Sequence, residues 1–278
     1  MRKRRPLWTA AGFALLGHVR NRLALGLAVF FLPLFVFVTG TAAPSTGLPL
    51  ALGDAAGPAV AAADRVMRVS CALNAVILLT GLMMFMATIR AGELDHRLVL
   101  AGYPRFRLLL GKTLALCAVA CLLALYTTAL LSAFFPVRRP WSLACAVGTA
   151  ALAYGGIGIL LGALLRSELA GVFVVVMASM IDMGLQNPAA SQLAGGPSLR
   201  LLPMHGPTQA ALVSAFTTGF PASGLLAGLT WWAVATAAAF TVFHIRTHHG
   251  CVATPALRGG KPARAGRQSP HEEGAPLR

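Results

Sequence analysis

Long uncharged stretches separated by short charged segments dominate the chain. Four of these stretches contain 31, 21, 25 and 26 residues, and they lie between Arg22 and Asp54, Arg68 and Arg90, Lys112 and Arg138, and Arg139 and Arg166. A helix needs about 20 mostly apolar residues to cross a hydrocarbon core about 30 Å thick. Each stretch therefore predicts one transmembrane helix.

Two further spans are predicted in the second half of the chain. The 45 uncharged residues between Arg200 and Arg246 are crowded with prolines in their first half, which leaves room for one span near 223–243. Only 13 residues, Leu169–Ile181, separate Glu168 from Asp182, so we extend this span to about Leu185. The sequence thus predicts an all-α polytopic membrane protein with six spans, at about residues 23–41, 69–89, 113–135, 142–164, 169–185 and 223–243.

The amino-acid composition also indicates a protein that is embedded in a lipid bilayer. Hydrophobic residues make up 57% of the 278 residues and charged residues only 11%, whereas a soluble domain carries about 25% charged residues. We divide the chain into a basic segment 1–22 with an interfacial helix, a transmembrane domain 23–246 and a disordered cytoplasmic tail 247–278. The interfacial helix is predicted because Trp8, Ala11, Leu15 and Val19 recur at helical spacing between basic residues.

The distribution of the net charge of +15 predicts orientation. If the N-terminus is inside, the inner segments carry 18 basic residues and the outer segments five. Basic residues concentrate on the cytoplasmic side of membrane proteins, so both termini are predicted to be cytoplasmic. The excess charge then faces membrane lipids, and a nucleic-acid partner is not expected.

Candidate enzyme motifs fail on spacing or context. Gly111-Lys112-Thr113 matches the end of a phosphate-binding loop, but the required earlier glycine is replaced by Phe106 and the segment enters a span. Cys117 and Cys121 share a helix face, yet their span holds no histidine or carboxylate that would complete a metal site. The sequence therefore predicts no catalytic residue, no bound metal and no directly bound cofactor.

Asp182 is the one acidic residue inside a predicted span, and it lies near the end of that span. It is consistent with a carboxylate at the membrane edge or in a polar crevice. Intramembrane ionisable residues are often functional, so it is alternatively a transport-path or structural ion-pair carboxylate. An Asp182→Asn variant assayed for transport distinguishes the two.

The predicted loop between spans two and three carries an amphipathic pattern. Leu94, Leu98 and Ala101 recur at helical spacing, and Glu93 precedes Arg97 by four residues. Pro104 ends the pattern, which predicts a short helix of about three turns. Its apolar stripe could dock a cytosolic partner, or the helix could be a surface linker without a partner.

The order of these parts resembles the membrane subunit of type-2 ATP-binding-cassette (ABC) exporters of bacteria, from about Leu15 to Arg246. The interfacial helix before span one and the charged helix before span three carry the resemblance. Further matching segments are Pro104-Arg105-Phe106-Arg107, Gly111-Lys112, Arg166-Ser167-Glu168-Leu169-Ala170-Gly171, Leu185-Gln186-Asn187-Pro188, Leu202-Pro203 and Gly206-Pro207.

The resemblance implies a permease that has no nucleotide site of its own. The loop between spans two and three would be a coupling helix seated on a separate cytosolic ATPase, which would bind ATP and Mg²⁺. Its contact residues would be Glu93, Leu94, Asp95, Arg97, Leu98, Ala101 and Tyr103. The family also implies a second six-span subunit, and it implies short helices between Met183 and Phe220 that dip into the outer membrane surface and pack on the bundle.

Transport of a hydrophobic or amphipathic small molecule, such as a drug, antibiotic or lipid, is the function expected from the resemblance and the apolar composition. The chain is rich in alanine, glycine, leucine and arginine, which indicates a bacterium with a GC-rich genome, such as an actinobacterium. The expected location is therefore the plasma membrane. An ion-coupled secondary transporter and a non-transporting sensor or structural membrane protein remain alternatives. A dedicated ATPase partner distinguishes the exporter from both.

Overall fold

The computed structural model describes residues 26–52, 57–102, 104–165, 167–186 and 197–252. The helices are α1 Leu32–Ala42, α2 Ala63–Leu100, α3 Arg105–Phe134, α4 Pro140–Leu164, α5 Glu168–Gln186, α6 His205–Phe216 and α7 Ala222–Val252. A π-helical turn, Leu27–Phe31, precedes α1, and a 3₁₀ turn, Pro197–Leu201, precedes α6. Strands β1 Gly47–Leu52 and β2 Gly57–Ala62 connect α1 to α2. The predicted interfacial helix at 7–20 lies outside the described residues.

Five helices are long and apolar enough to cross a membrane, and their candidate spans are Ala63–Gly92, Phe106–Phe134, Pro140–Leu164, Glu168–Gln186 and Ala222–Ile245. These correspond to predicted spans two to six. The fifth predicted span, which was the shortest, corresponds to the helix Glu168–Gln186 of 19 residues. In place of the predicted first span, the described residues contain the shorter apolar helix Ala28–Ala42, so a sixth span is not established.

The helical architecture is consistent with the all-α prediction, and the connection between α1 and α2 adds one small strand pair to it. β1 and β2 form an antiparallel hairpin in which Gly47 is paired with Ala62 and Leu52 with Gly57. Leu50 and Leu52 are buried, while Val60 on the partner strand is exposed. Alternate residues of a strand point to opposite faces, so the spacing of Leu48, Leu50 and Leu52 is the signal for this strand. We call this side of the bundle the hairpin end.

A proline explains the irregular start of α1. Pro33 has no backbone N–H, so it cannot donate to the carbonyl group of Val29 one turn earlier. The Tyr126 hydroxyl of α3 donates to that carbonyl oxygen instead, at 3.1 Å. Backbone groups within a membrane need such partners because no water is present. The π-helical turn is therefore tied to the bundle by α3.

Arg68 of α2 holds α1 against α3. Its Nη1 donates to the carbonyl oxygen of Val36 at 3.4 Å, and its guanidinium carbon lies 4.8 Å from the centroid of the Phe134 ring. A Cβ atom at Gly40 would overlap this guanidinium group. The glycine thus makes room for a cation that is half-buried between three helices.

The central helix of the bundle is α4, which packs against α2, α3, α6 and α7. It approaches α2 closely through Gly158 and Gly162, since a Cβ atom at Gly162 would lie 2.9 Å from the carbonyl oxygen of Phe85. At Gly158 a Cβ atom would collide with the carbonyl oxygen of Gly81. This is the small-residue spacing by which membrane helices pack backbone to backbone. Helices α2 and α4 therefore form the rigid centre of the fold.

Substitution of Gly158 tests this packing. We expect Gly158→Ala to lower the melting temperature of the purified protein, because overpacking a close helix contact costs about 1–3 kcal/mol. The matched control is Gly184→Ala in α5, where an added Cβ atom meets nothing within 4 Å. Equal melting temperatures for the two variants would contradict a close α2–α4 contact.

Helices α5 and α7 lie at the periphery and leave most of their apolar surface exposed, in contrast to α2 and α4. Helix α6, which lies between α5 and α7 in the sequence, is buried on almost all sides and packs against α4 and α7. The prediction that the segment before the last span packs on the bundle is confirmed for this helix. The last helix continues to Val252, beyond residue 247 where disorder is predicted to begin, because no proline follows until Pro255.

Candidate functional site

A stripe of small and polar residues on α5 faces the bundle. Its buried members follow helical spacing and are Gly171, Val175, Ser179, Asp182 and Gln186. The large apolar residues of α5, such as Phe173 and Ile181, are exposed on other faces. Asp182 thereby enters the protein interior within a candidate span, and only 2% of its surface remains exposed.

The Asp182 carboxylate joins three elements inside the bundle. Its Oδ2 accepts a hydrogen bond of 2.6 Å from the Tyr154 hydroxyl of α4 and one of 3.0 Å from the backbone N–H of Met204. Met204 immediately precedes α6, whose first N–H groups have no helical partner. The carboxylate therefore acts as a cap for α6 that is supplied by a different helix.

Gln186, one turn after Asp182, extends the network. Its Nε2 donates to the carbonyl oxygen of Leu199 at 3.1 Å, and its Oε1 lies 3.0 Å from Nδ1 of His205. Because an amide oxygen only accepts, Nδ1 of His205 must carry the proton. Burial, followed by the nearby charge of Arg200, lowers the pKa of His205. The imidazole is accordingly neutral at pH 7, with its proton on Nδ1.

Together these contacts fix the segment that leads into α6 onto the bundle by hydrogen bonds rather than by ion pairs. Within the described residues, Asp182 has no cationic partner, and its Oδ1 accepts no hydrogen bond. These surroundings are consistent with a carboxylate in a polar crevice, and the structural ion pair is not formed in this part of the chain. A free carboxylate oxygen can accept a proton or a cation, which keeps the transport-path hypothesis open.

The neutral state of His205 predicts a pH effect. Its pKa is lower in the folded protein than the ordinary value of about 6.5, so the unfolded state binds more protons as the pH falls. Stability should therefore be complete above about pH 6.5 and decline below it. We expect His205→Asn, which keeps a donor toward Gln186 but does not titrate, to show a smaller decrease in melting temperature between neutral and acidic pH. An unchanged pH dependence would contradict this role.

The predicted coupling residues lie at the opposite end of the bundle. Leu94 and Leu98 are 63% and 42% exposed, and Arg97 and Ala101 are also exposed. Tyr103 and the side chains of Glu93 and Asp95 lie outside the described residues. The predicted pair of Glu93 with Arg97 is therefore untested.

The segment that contains Leu94 and Leu98 is helical, as predicted, but the prediction that it forms a separate short helix is wrong. Residues 93–100 are the last turns of α2, which runs unbroken from the hairpin end. No proline interrupts the chain between the span and this segment, so the helix continues until Gly102, whose φ of +85° suits glycine. Here the backbone N–H of Gly102 donates to the carbonyl oxygen of Val99 at 3.0 Å.

Other sequence candidates are not assembled into sites. Gly111-Lys112-Thr113 lies inside α3, where the backbone N–H groups serve the helix. No group of three or more histidine, cysteine or carboxylate side chains in the described ranges could hold a metal ion. The described ranges do not include Arg166 or residues 187–196. These residues contain part of the segments that carry the family resemblance.

Sequence reasoning missed Tyr154 and Met204 as partners of Asp182. Tyr154 is a signal in itself, because a tyrosine hydroxyl within a membrane span needs a hydrogen-bond partner. Met204 contributes only its backbone N–H, which no residue pattern reveals.

The chain matches no known protein family and no curated protein. Its class follows from the fold: five long apolar helices, with α4 at their centre, make it a multi-pass helical membrane protein. Within that class, Asp182 and the exposed end of α2 are the features that bear on transport.

Proposed function

We propose that this chain is the permease subunit of an ATP-driven exporter of the type-2 ABC kind. The observation that carries the proposal is the exposed apolar pair Leu94 and Leu98, which extends beyond the candidate span ending at Gly92. Lipid hydrocarbon does not cover side chains outside the membrane core. A groove on a cytosolic ATPase would bury both leucines, at the place where the family resemblance locates that contact.

The length of α2 supports a mechanism of coupling. With 38 residues and a rise of 1.5 Å per residue, it is about 57 Å long. Force applied at Leu94 would therefore move a single rigid rod. Close backbone packing at Gly81 and Gly158 would pass this movement to α4. Tyr154 of α4 and Asp182 of α5 would then carry it to the hairpin end.

Orientation and assembly form part of the same proposal. We place both termini in the cytoplasm of a bacterial plasma membrane, because the distribution of basic residues favours it. The exposed apolar faces of α5 and α7 offer surface for lipid and for a second permease subunit. ATP and Mg²⁺ would bind to the separate ATPase, and the permease itself would catalyse no reaction.

The proposed cargo is a hydrophobic or amphipathic small molecule. Exposed apolar helices allow such a molecule to enter from the bilayer, and the described spans contain few charges that would have to be neutralised by an ionic cargo. Drugs, antibiotics and lipids all fit this description.

An ion-coupled transporter is the second candidate, and one observation favours it. Asp182 is a buried carboxylate within a candidate span and has an oxygen without a partner among the described residues, as expected for a proton- or cation-binding group. The broken-helix repeat that such transporters often carry is not evident in the sequence.

A vesicle assay tests the two candidates against each other. Inverted membrane vesicles from the native host should accumulate a fluorescent amphipathic dye when ATP is added, and a protonophore should leave this uptake unchanged. Vesicles from a strain that lacks the chain are the control. Uptake that is abolished by the protonophore at constant ATP would contradict the exporter and favour the ion-coupled transporter.

A further inference from the structure

The loop between α3 and α4 borders a cavity at the hairpin end that the Asp182 network does not use. The cavity has a volume of about 390 Å³ and is lined by Arg138, Arg139, Trp141, Cys145 and Phe220, among others. Two cations and two aromatic rings therefore meet in one concave site.

Backbone hydrogen bonds hold this loop in place. The N–H groups of Arg138 and Arg139 donate to the carbonyl oxygens of Ala215 and Ser214, at 3.2 and 3.0 Å. The Ser214 hydroxyl also donates to the Ser142 hydroxyl at 2.8 Å, within the protein. The loop is thus fixed to the end of α6, and the cavity wall is formed before any ligand arrives.

Among the described residues, no carboxylate pairs with the guanidinium group of Arg138 or Arg139. Nη1 of Arg139 donates to the carbonyl oxygen of Thr218 at 3.1 Å, and the group lies 5.7 Å from the centroid of the Phe220 ring. The Arg138 side chain is exposed. In the part of the chain that the structure describes, the single ion pair joins Arg90 to Glu168 at the other end of the bundle. An anionic ligand would complement the positive charge of the two arginines that line the cavity.

The position of the cavity selects the kind of anion. It lies between the end of one candidate span at Phe134 and the start of the next at Pro140, which is the level of lipid headgroups. Trp141 and Phe220 are 77% and 58% exposed beside it, and aromatic rings favour this interfacial layer. Guanidinium groups match phosphate oxygens in geometry and charge.

We propose that this cavity binds the headgroup phosphate of an anionic phospholipid. The two arginines would contact the phosphate, while Trp141 and Phe220 would contact the glycerol backbone and the first acyl carbons. The proposal is independent of the transport function, since it requires only that the helices span a membrane.

Native mass spectrometry of the delipidated full-length protein tests the proposal, with phosphatidylglycerol and phosphatidylcholine titrated as probes. We expect tighter binding of phosphatidylglycerol, and we expect Arg138→Gln to weaken it roughly fivefold, the effect of one basic residue near an anionic surface. The matched control is Arg65→Gln, which removes an exposed arginine at the same end and should leave the preference unchanged. Arg138→Lys keeps the charge and should retain most of the preference.

Three results would overturn the assignment. Equal affinity for the two lipids would exclude recognition of the anionic headgroup. An equal loss in Arg65→Gln would indicate a diffuse charge effect rather than a site. Glycerol phosphate binding as tightly as phosphatidylglycerol would identify a site for a free anion, because the lipid tails would then contribute nothing.

Discussion

Replacing Leu94 with Asp is expected to abolish stable association with the ATPase while the chain still inserts into the membrane. Burying a leucine side chain contributes about 1.5–3 kcal/mol, and burying an unpaired carboxylate in its place adds a further desolvation cost. A loss of about 3 kcal/mol or more weakens binding at least ~100-fold. Co-purification of the ATPase with tagged permease measures this directly.

Leu201→Asp is the matched control for this experiment. Leu201 is at least as exposed as Leu94, at 79% against 63%. It also lies outside the candidate spans, but in the 3₁₀ turn before α6 rather than at the end of α2. The same change in chemistry should there leave the ATPase bound. Retention of the ATPase by Leu94→Asp, or its loss from both variants, would contradict the assignment of a docking site at the end of α2.

Replacing Asp182 with Leu is expected to detach the segment around α6 and to lower the melting temperature strongly. The Tyr154 hydroxyl and the Met204 N–H would both lose their acceptor. At about 1–3 kcal/mol for each unsatisfied buried donor, the free energy of unfolding falls by about 2–6 kcal/mol. Thermal unfolding of the purified protein measures the change.

Asp182→Asn separates anchoring from transport. The asparagine oxygen can accept both hydrogen bonds, whereas its amide group places a donor where Oδ1 has no partner. The melting temperature should therefore fall less than in Asp182→Leu. If the carboxylate serves only to anchor the segment before α6, ATP-driven dye uptake should persist. A folded variant that has lost transport would instead show that a charge or a proton at Asp182 is needed, as an ion-coupled transporter requires.

The charge pattern predicted most of the fold because burial in a membrane demands long runs without charge. Five of the six predicted spans correspond to long apolar helices, including the shortest, which continues past Asp182 to Gln186. The hairpin was missed because its alternating leucines, Leu48, Leu50 and Leu52, form a short pattern within a connection rich in alanine, glycine and proline.

The details of the site were harder to predict because they depend on contacts distant in sequence. Asp182 meets Tyr154 and Met204, which are 28 and 22 residues away. Likewise, the last turns of α2 were predicted as a separate helix. Periodicity shows which residues share a helix face, but it does not show where a helix begins. The repeat of Leu94 and Leu98 was visible, whereas its continuity with the span required the backbone of residues 90–93.

The most direct test of the central claim is to purify the tagged protein from its native membrane in mild detergent and identify its partners by mass spectrometry. We expect a P-loop ATPase in stoichiometric amount, together with a second permease subunit. A stable protein that carries no ATPase across several detergents would contradict the exporter assignment.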